Sequence, residues 1–245
     1  MLDIQLLVAR RLLAILGIVP VISGAWWLAI RVSTSLDRAF GVPDLPPIQT
    51  GVLTLLYTLV LFVIWDASRF VLHLAMHKIN FLWQFHQVHH SAQVLTPITF
   101  HRIHPVESIL YGLRGSLTTG VMAGLAFWLF RGQASEFTIA GVHGIGFGLN
   151  ALMGNLRHSH VWLRYPPKIE RWFISPAQHQ VHHARAVDYH DANFGTWLSC
   201  WDSMIGSLQI APEEPIQDMG ITEPNHDPMH LLSALFSPIR AAFSP

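Results

Sequence analysis

Residues 12–30 carry no charged side chain, and Arg10, Arg11 and Arg31 flank the run. In hydrocarbon a backbone has no water to bond with, so an apolar segment of this length is confined to a helix crossing the bilayer. The run is long for a secretory leader and no small-residue cleavage pattern follows it, so it is expected to be retained. Three further stretches have the same character. Residues 51–65 open a helix that continues through Asp66 and Arg69 toward His77, and residues 115–130 and 137–156 are two more uncharged runs. The expected fold class is therefore all-α, an integral membrane helical bundle of about four spans, the glycine-rich fourth being either a span or re-entrant. Gly115, Gly120 and Gly124, then Gly141, Gly144, Gly146 and Gly148, suit close helix contacts in lipid.

Only 12% of the 245 residues are charged, and mean hydropathy is +0.36. Soluble domains carry about twice that share of charge. The formal net charge of zero offers no electrostatic footing for nucleic acid. A single cysteine, Cys200, excludes an intrachain disulfide and any cysteine-built metal or iron–sulfur site. Residues 31–50 form a polar connection with Pro43, Pro46 and Pro47. Beyond residue 156 the chain turns polar, with helices expected around 168–173 and 178–184. A proline-rich acidic tail covers 211–228, and 229–243 has the pattern of a short interfacial helix. No repeat of fixed period and no second domain is visible, so residues 1–245 read as one domain. With four spans, most basic residues fall on the side holding both termini and residues 78–114, which is expected to be cytoplasmic.

Sixteen histidines outnumber the lysines and arginines together. They recur in three strings: HLAMH with His73 and His77, HQVHH with His86, His89 and His90, and a second HQVHH with His179, His182 and His183. Residues three and four apart share a helix face, so each string aims two or three imidazoles one way. Eight such donors exceed one tetrahedral zinc site and suit two ions with open positions left over. Asp66 lies seven residues before His73, two turns away on the same face, where a carboxylate can accept the outer N–H of an imidazole. The bland alternative pairs Asp66 with Arg69.

Taken together, these blocks resemble the fatty acid hydroxylase or sterol desaturase superfamily of membrane non-haem di-iron enzymes. The resemblance covers residues 66–208. It rests on Asp66, HLAMH, WQFHQVHHS at 83–91, HPVE at 104–107, RHSHVW at 157–162, SPAQHQVHH at 175–183, NFG at 193–195 and WDSMIGSL at 201–208. It implies membrane helices topped by a cytosolic helical cap carrying the histidine clusters. The ligands it implies are His73, His77, His86, His89, His90, His179, His182 and His183, with one more from RHSHVW. Residues two apart on a helix point about 200° apart, so His158 and His160 compete for that role. His160, nineteen residues before His179, is the expected ligand. His158, His104 and Glu107 are expected behind the ligands. Leu74, where the family often has arginine, and the loosely matched WDSMIGSL are departures that bear on substrate.

The resemblance implies an oxygen-dependent hydroxylase or desaturase that holds two iron ions and acts on a sterol, fatty acyl or ether lipid. No dinucleotide fingerprint is present, so electrons are expected from a separate reductase, ferredoxin or cytochrome. Two rivals remain. A zinc-dependent membrane hydrolase would usually show a glutamate base beside its ligands, and the HExxH string is absent. A histidine-rich metal transporter would place ligands near the midplane of its spans. Of the other histidines, His143 lies inside the fourth apolar run, His190 is expected to order a loop, and His226 and His230 lie in the tail without a catalytic role.

Overall fold

The computed structural model describes the backbone of residues 1–135, 138–139 and 142–244, and the side chains of all these except 18, 19, 138, 139, 142 and 143. Its long helices are α1 (Leu2–Phe40), α2 (Thr50–Lys78), α3 (Asn80–His90) and α4 (Pro105–Phe130). Short ones follow: α5 (Gly144–Leu149), α6 (Pro167–Glu170), α7 (Pro176–His182), α8 (Cys200–Ile205) and finally α9 (Leu231–Phe243). The described strand structure is one two-residue antiparallel pair, Thr138–Ile139 with Val142–His143.

Helices α2 and α4 are each long and apolar enough to cross a membrane. Helix α1 qualifies as one bent span, its halves Leu2–Gly17 and Pro20–Phe40 meeting at 44°. Pro20 supplies no N–H to the helical ladder, which accounts for the bend. Large apolar side chains stand exposed along these helices, among them Leu16, Trp26 and Trp27 on α1, Leu55 and Val60 on α2, and Leu113 and Leu117 on α4. Such surfaces belong in lipid rather than water.

Helices α1 and α4 run parallel. Ser116 donates to the Val21 carbonyl at 2.9 Å, and Arg131 meets Asp37 at 3.2 Å at the far end. Small residues set the spacing. A Cβ on Gly120 would stand 2.8 Å from the Ala25 carbonyl oxygen, and one on Gly124 would stand 2.6 Å from Val32 Cβ. The expected role of these glycines is thus met at Gly120 and Gly124, and at Gly115, which faces the Trp65 ring. Helix α2 runs the opposite way, from Thr54 beside Ser135 at the far end to His73 and His77 at the other.

The fourth apolar run falls partly outside the described residues. Its described part is α5 continued by a π-helical turn, Asn150–Gly154, together reaching about 16 Å at 1.5 Å per residue. That is short of the roughly 30 Å hydrocarbon core, and no regular fourth span is seen among the described residues. Ser135 lies at the far end and His158 at the histidine end.

At the histidine end, short helices and loops form a cap. Leu2 and Leu6 of α1 pack with Val88 of α3 and Ala234 of α9. The helix expected over 229–243 is α9, and it lies on α3. Arg102 gathers the same corner, bonding Asp3 Oδ1 at 2.9 Å, the Val88 carbonyl at 3.0 Å and the Pro228 carbonyl at 2.7 Å. Helix α7 begins at a full capping box, with Ser175 and Gln178 bonding each other's backbone and Pro176 in the first turn.

Candidate metal centre

Nine histidines converge into two adjoining nests. His73, His77, His86, His90 and His182 form one, and His89, His158, His179 and His183 form the other, with one ring nitrogen from each lying within 4.8 Å of the rest of its nest. The helical period explains the sorting. On α3, His86 and His90 are one turn apart and face the first nest, while His89 is rotated toward the second. On α7 the roles reverse, so that His179 and His183 face the second nest and His182 the first. The rings of His90 and His183 stack across the shared wall, their centroids 4.4 Å apart.

Outer hydrogen bonds decide where the lone pairs point. His73 Nδ1–H donates to the Phe194 carbonyl at 2.7 Å, and His182 Nδ1–H to the Ala192 carbonyl at 2.7 Å. A carbonyl only accepts, so both rings carry their proton on Nδ1 and turn a bare Nε2 inward. Those two Nε2 atoms stand 3.1 Å apart. Two lone pairs facing each other at that distance repel unless a cation lies between them. Nitrogens about 2.1 Å from one ion at right angles would stand about 3.0 Å apart.

The second nest repeats the pattern. His89 Nδ1 bonds the Arg102 carbonyl at 3.1 Å, and His89 Nε2 faces His158 Nε2 at 3.2 Å. His179 Nε2 stands 3.1 Å from His158 Nε2. His77 Nε2, His90 Nε2 and both ring nitrogens of His183 are buried without a partner. Orphaned donors of this kind are rare in native proteins, and an all-nitrogen set fits iron or zinc.

Burial keeps these rings neutral. Desolvation, followed by the nearby Arg157 charge, pushes His158 down to about 3, and desolvation holds His182 at about 4. His89, His90, His179 and His183 also lie well below the ordinary histidine value, through burial first and neighbouring imidazoles second. At neutral pH all six offer lone pairs.

The loop at 191–195 supports the first nest. Asp191 and Asn193 adopt left-handed backbone, φ 59° and 54°, and the carbonyl that follows each, of Ala192 and of Phe194, meets His182 and His73. Such conformations are strained for residues other than glycine. Asn193 compensates by donating to the Gln178 carbonyl at 3.1 Å and accepting from Gln209 N–H at 2.8 Å. Asp202 holds the next turn, accepting from the N–H groups of Phe194 and Gly195 at 2.8 Å each. A Cβ on Gly195 would come within 2.8 Å of that carboxylate.

Several expected site residues occupy different positions from those the sequence assigned. His158 is buried in the second nest, whereas His160 is exposed and outside both. The two do point apart, but the block containing them is a turn rather than a helix, and the turn brings in His158. Asp66 touches no imidazole and forms no ion pair with Arg69. Its carboxylate accepts from Trp197 N–H at 3.2 Å, Leu198 N–H at 3.1 Å and Trp201 Nε1–H at 3.0 Å, so it anchors the segment after the 191–195 loop. His104 caps α4, accepting from Val106 N–H and donating to the Leu235 carbonyl at 3.0 Å. Glu107 Oε1 stands 3.1 Å from His86 Nδ1. His190 bonds the Arg185 carbonyl within its loop, and His226 is buried against Ser91. The side chain of His143 lies outside the described residues. Sequence reasoning missed the carbonyls of Ala192, Phe194 and Arg102, and it missed Asp202. The NFG and WD strings were their only signal.

Comparison with known proteins agrees with this centre. The profile of the fatty acid hydroxylase family matches residues 58–207. An ornithine lipid hydroxylase of Rhizobium tropici is 27% identical over 65% of the chain and 44% of its own length. Human alkylglycerol monooxygenase is 25% identical over 73% of the chain and 34% of its own length. Rat cholesterol 25-hydroxylase is 25% identical over 64% of the chain and 48% of its own length. The chain thus spans a third to a half of the curated relatives it matches. No solved structure matches significantly. With the profile covering well over half of its length, including both nests, the chain belongs to the fatty acid hydroxylase family.

Proposed function

We propose that the chain is a membrane-bound oxidoreductase that holds two iron ions in its histidine nests and uses dioxygen to hydroxylate a lipid. The observation that carries this reading is the pair of nests in which neutral imidazoles oppose their Nε2 lone pairs at 3.1–3.2 Å. The named activities of the relatives, all lipid hydroxylases or monooxygenases, support a lipid substrate. His73, His77, His86, His90 and His182 would hold one ion, and His89, His158, His179 and His183 the other. When bound, the irons supply the electrons and oxidising power needed against an unactivated C–H bond, with a separate protein donor replenishing the electrons.

The chain's own groups orient and enclose. The carbonyls of Phe194, Ala192 and Arg102 fix the tautomers of His73, His182 and His89. Glu107 lies against His86 on the side away from the nest, so it supports a ring rather than a water, which disfavours the hydrolase reading. The nests lie at one end of the helices rather than midway, which disfavours a transporter. The basic residues of that end support a cytoplasmic location for it.

The test is iron-loaded protein in nanodiscs, supplied with a reductase system, dioxygen and total membrane lipid. The expected result is an oxygen-dependent lipid product 16 mass units heavier, absent in His182→Ala. Full lipid oxidation by His182→Ala, or oxidation with zinc in both nests, would remove the reading.

A further inference from the structure

Among the described residues, two arginines beside the nests rest on aromatic rings rather than on a carboxylate. Arg157 is buried, 5% exposed, and its Nε and Nη2 have no hydrogen-bond partner. Its guanidinium carbon stands over the Trp197 ring, 3.6 Å from the centroid, a contact made through the face of the group and not through its N–H donors. Arg69, one turn before His73 on α2, lies over the Tyr111 ring at 4.9 Å. Both arginines line the small cavity of about 40 Å³ that also touches His73, His86, His89, His158 and His179. An unpaired buried charge is strongly destabilising, so a protein retains one where a ligand completes it.

Glu107 lines the same cavity, meeting His86 through Oε1 with its Oε2 buried and unpartnered among the described residues, and Asp66 accepts three hydrogen bonds from the 197–201 segment. The neighbouring arginines differ from this pair, since Arg114 bonds the Trp65 carbonyl and Ser68, and Arg10 bonds His101. At the cavity wall the guanidiniums of Arg69 and Arg157 face one carboxylate, Glu107, so positive charge exceeds negative there, and bound metal ions would add to the excess.

Tyr111 lines this cavity and also a second, apolar one of about 400 Å³ between α1, α2 and α4, bordered by Val21, Trp26, Trp65 and Gly115. One side chain thus separates a polar chamber from a groove at the level of the lipid tails.

We infer that Arg157 and Arg69 form an anion subsite that binds the carboxylate or phosphate of a single-chain amphiphile, whose tail lies in the groove beyond Tyr111. This rests on the proposed lipid oxidation and narrows its substrate to an anionic amphiphile, held with its head by the nests so that carbons near the head are the ones presented for attack. A neutral alcohol of the same length lacks the group that would neutralise the pair. Guanidinium edges bind carboxylate and phosphate oxygens through two parallel N–H bonds, which a hydroxyl cannot match.

The test measures binding without turnover. Iron-loaded protein in neutral phosphatidylcholine nanodiscs, kept without dioxygen or electron donor, is titrated with tetradecanoate, tetradecyl phosphate or tetradecanol, and bound amphiphile is counted by native mass spectrometry. The anions should bind at least tenfold tighter than the alcohol. Arg157→Gln and Arg69→Gln should each lose most of that preference while keeping two metal ions, and Arg157→Lys should recover part of it. Should Arg157→Gln misfold, as shown by lost metal, Arg69→Gln alone decides. Equal binding of acid and alcohol, or a preference that survives in the Arg69→Gln protein, would overturn the subsite, since the metals themselves would then be the anion's partner. Inorganic phosphate or acetate saturating the site as tightly as tetradecanoate would overturn the amphiphile. The parent reading fails separately, through the absence of any oxidised lipid in a turnover assay.

Discussion

His73 and the carbonyl oxygen of Phe194 lie 2.7 Å apart although 121 residues separate them in the chain. The bond sets the tautomer of an imidazole on a membrane helix from a strained loop in the cap. Weakening that loop should therefore weaken metal binding without touching a ligand. In Asp202→Asn one carboxylate oxygen becomes an amide nitrogen that cannot accept the Phe194 or Gly195 N–H, and Gly195→Ala crowds the same carboxylate. Both variants should lower metal affinity about 10- to 100-fold, the usual cost of losing a ligand's outer partner. Metal content measured against a chelator series would show it, and unchanged retention in both variants would argue that the loop is decorative.

His158 and His160 make opposite predictions. His158→Ala should lose metal and activity, while His160→Ala, altering an exposed side chain outside both nests, should keep two ions and near-full activity. Metal analysis of the two purified variants decides between them. Loss of metal in His160→Ala with retention in His158→Ala would reverse the assignment.

Arg102 concerns stability rather than chemistry. It joins Asp3, α3 and Pro228 through four groups while nearly buried. Arg102→Gln strands Asp3 and the Val88 and Pro228 carbonyls, and removing one partner of a buried pair costs about 3 kcal/mol. The melting temperature should fall by about 6–12 °C for a chain of this size, and a shift under 2 °C would contradict the role.

The metal-free protein should lose stability in mild acid. His158 and His182 titrate at about 3 and about 4 when folded, against 6.5 as the ordinary value. Between those limits the unfolded chain takes up protons that the folded chain refuses, so stability is full above pH 6.5 and falls as pH drops below it. Each such histidine contributes about 1.4 kcal/mol per pH unit. Thermal melts of the apo protein should thus decline from pH 7 to pH 5, and His158→Asn should flatten the slope. A melting temperature independent of pH across that range would contradict the burial of the nests.

The helix contact in the membrane is tested at Gly124, where a side chain would meet Val32 and the Ala29 carbonyl. Gly124→Leu forces α1 and α4 apart and should lower detergent-extracted yield and melting temperature, whereas Gly148→Leu, with open space around it, should not. Equal behaviour of the two variants would show that the small-residue contact does not matter.

What was legible in the sequence had local periodicity. The strings HLAMH and HQVHH fall on helices, so spacing alone placed eight imidazoles in a shared direction. What was not legible depended on contacts made far along the chain. Asp66 does lie on the His73 face of α2, but its partners are amides some 131 residues later, and no spacing rule reports them. His160 was favoured because its nineteen-residue distance from His179 is close to the spacing the resemblance implies for the extra ligand. The chain between them runs through loops and the four-residue α6 before α7 begins at Pro176, and the second nest gains His158 instead. The fourth apolar run was read as a span or a re-entrant segment from composition. Composition registers hydrophobicity but not the helix break that leaves only Gly144–Gly154 as a short described helix.

Helices α3 and α7 each divide their histidines between the two nests, two to one and one to two. Neither nest can be dismantled alone, because displacing either helix moves ligands of both. In an allelic series, substitutions of the nine histidines should therefore group at the null end, with no half-loaded intermediate. Partial-function alleles should instead come from the 191–195 loop, from Asp202, and from the arginines lining the chamber.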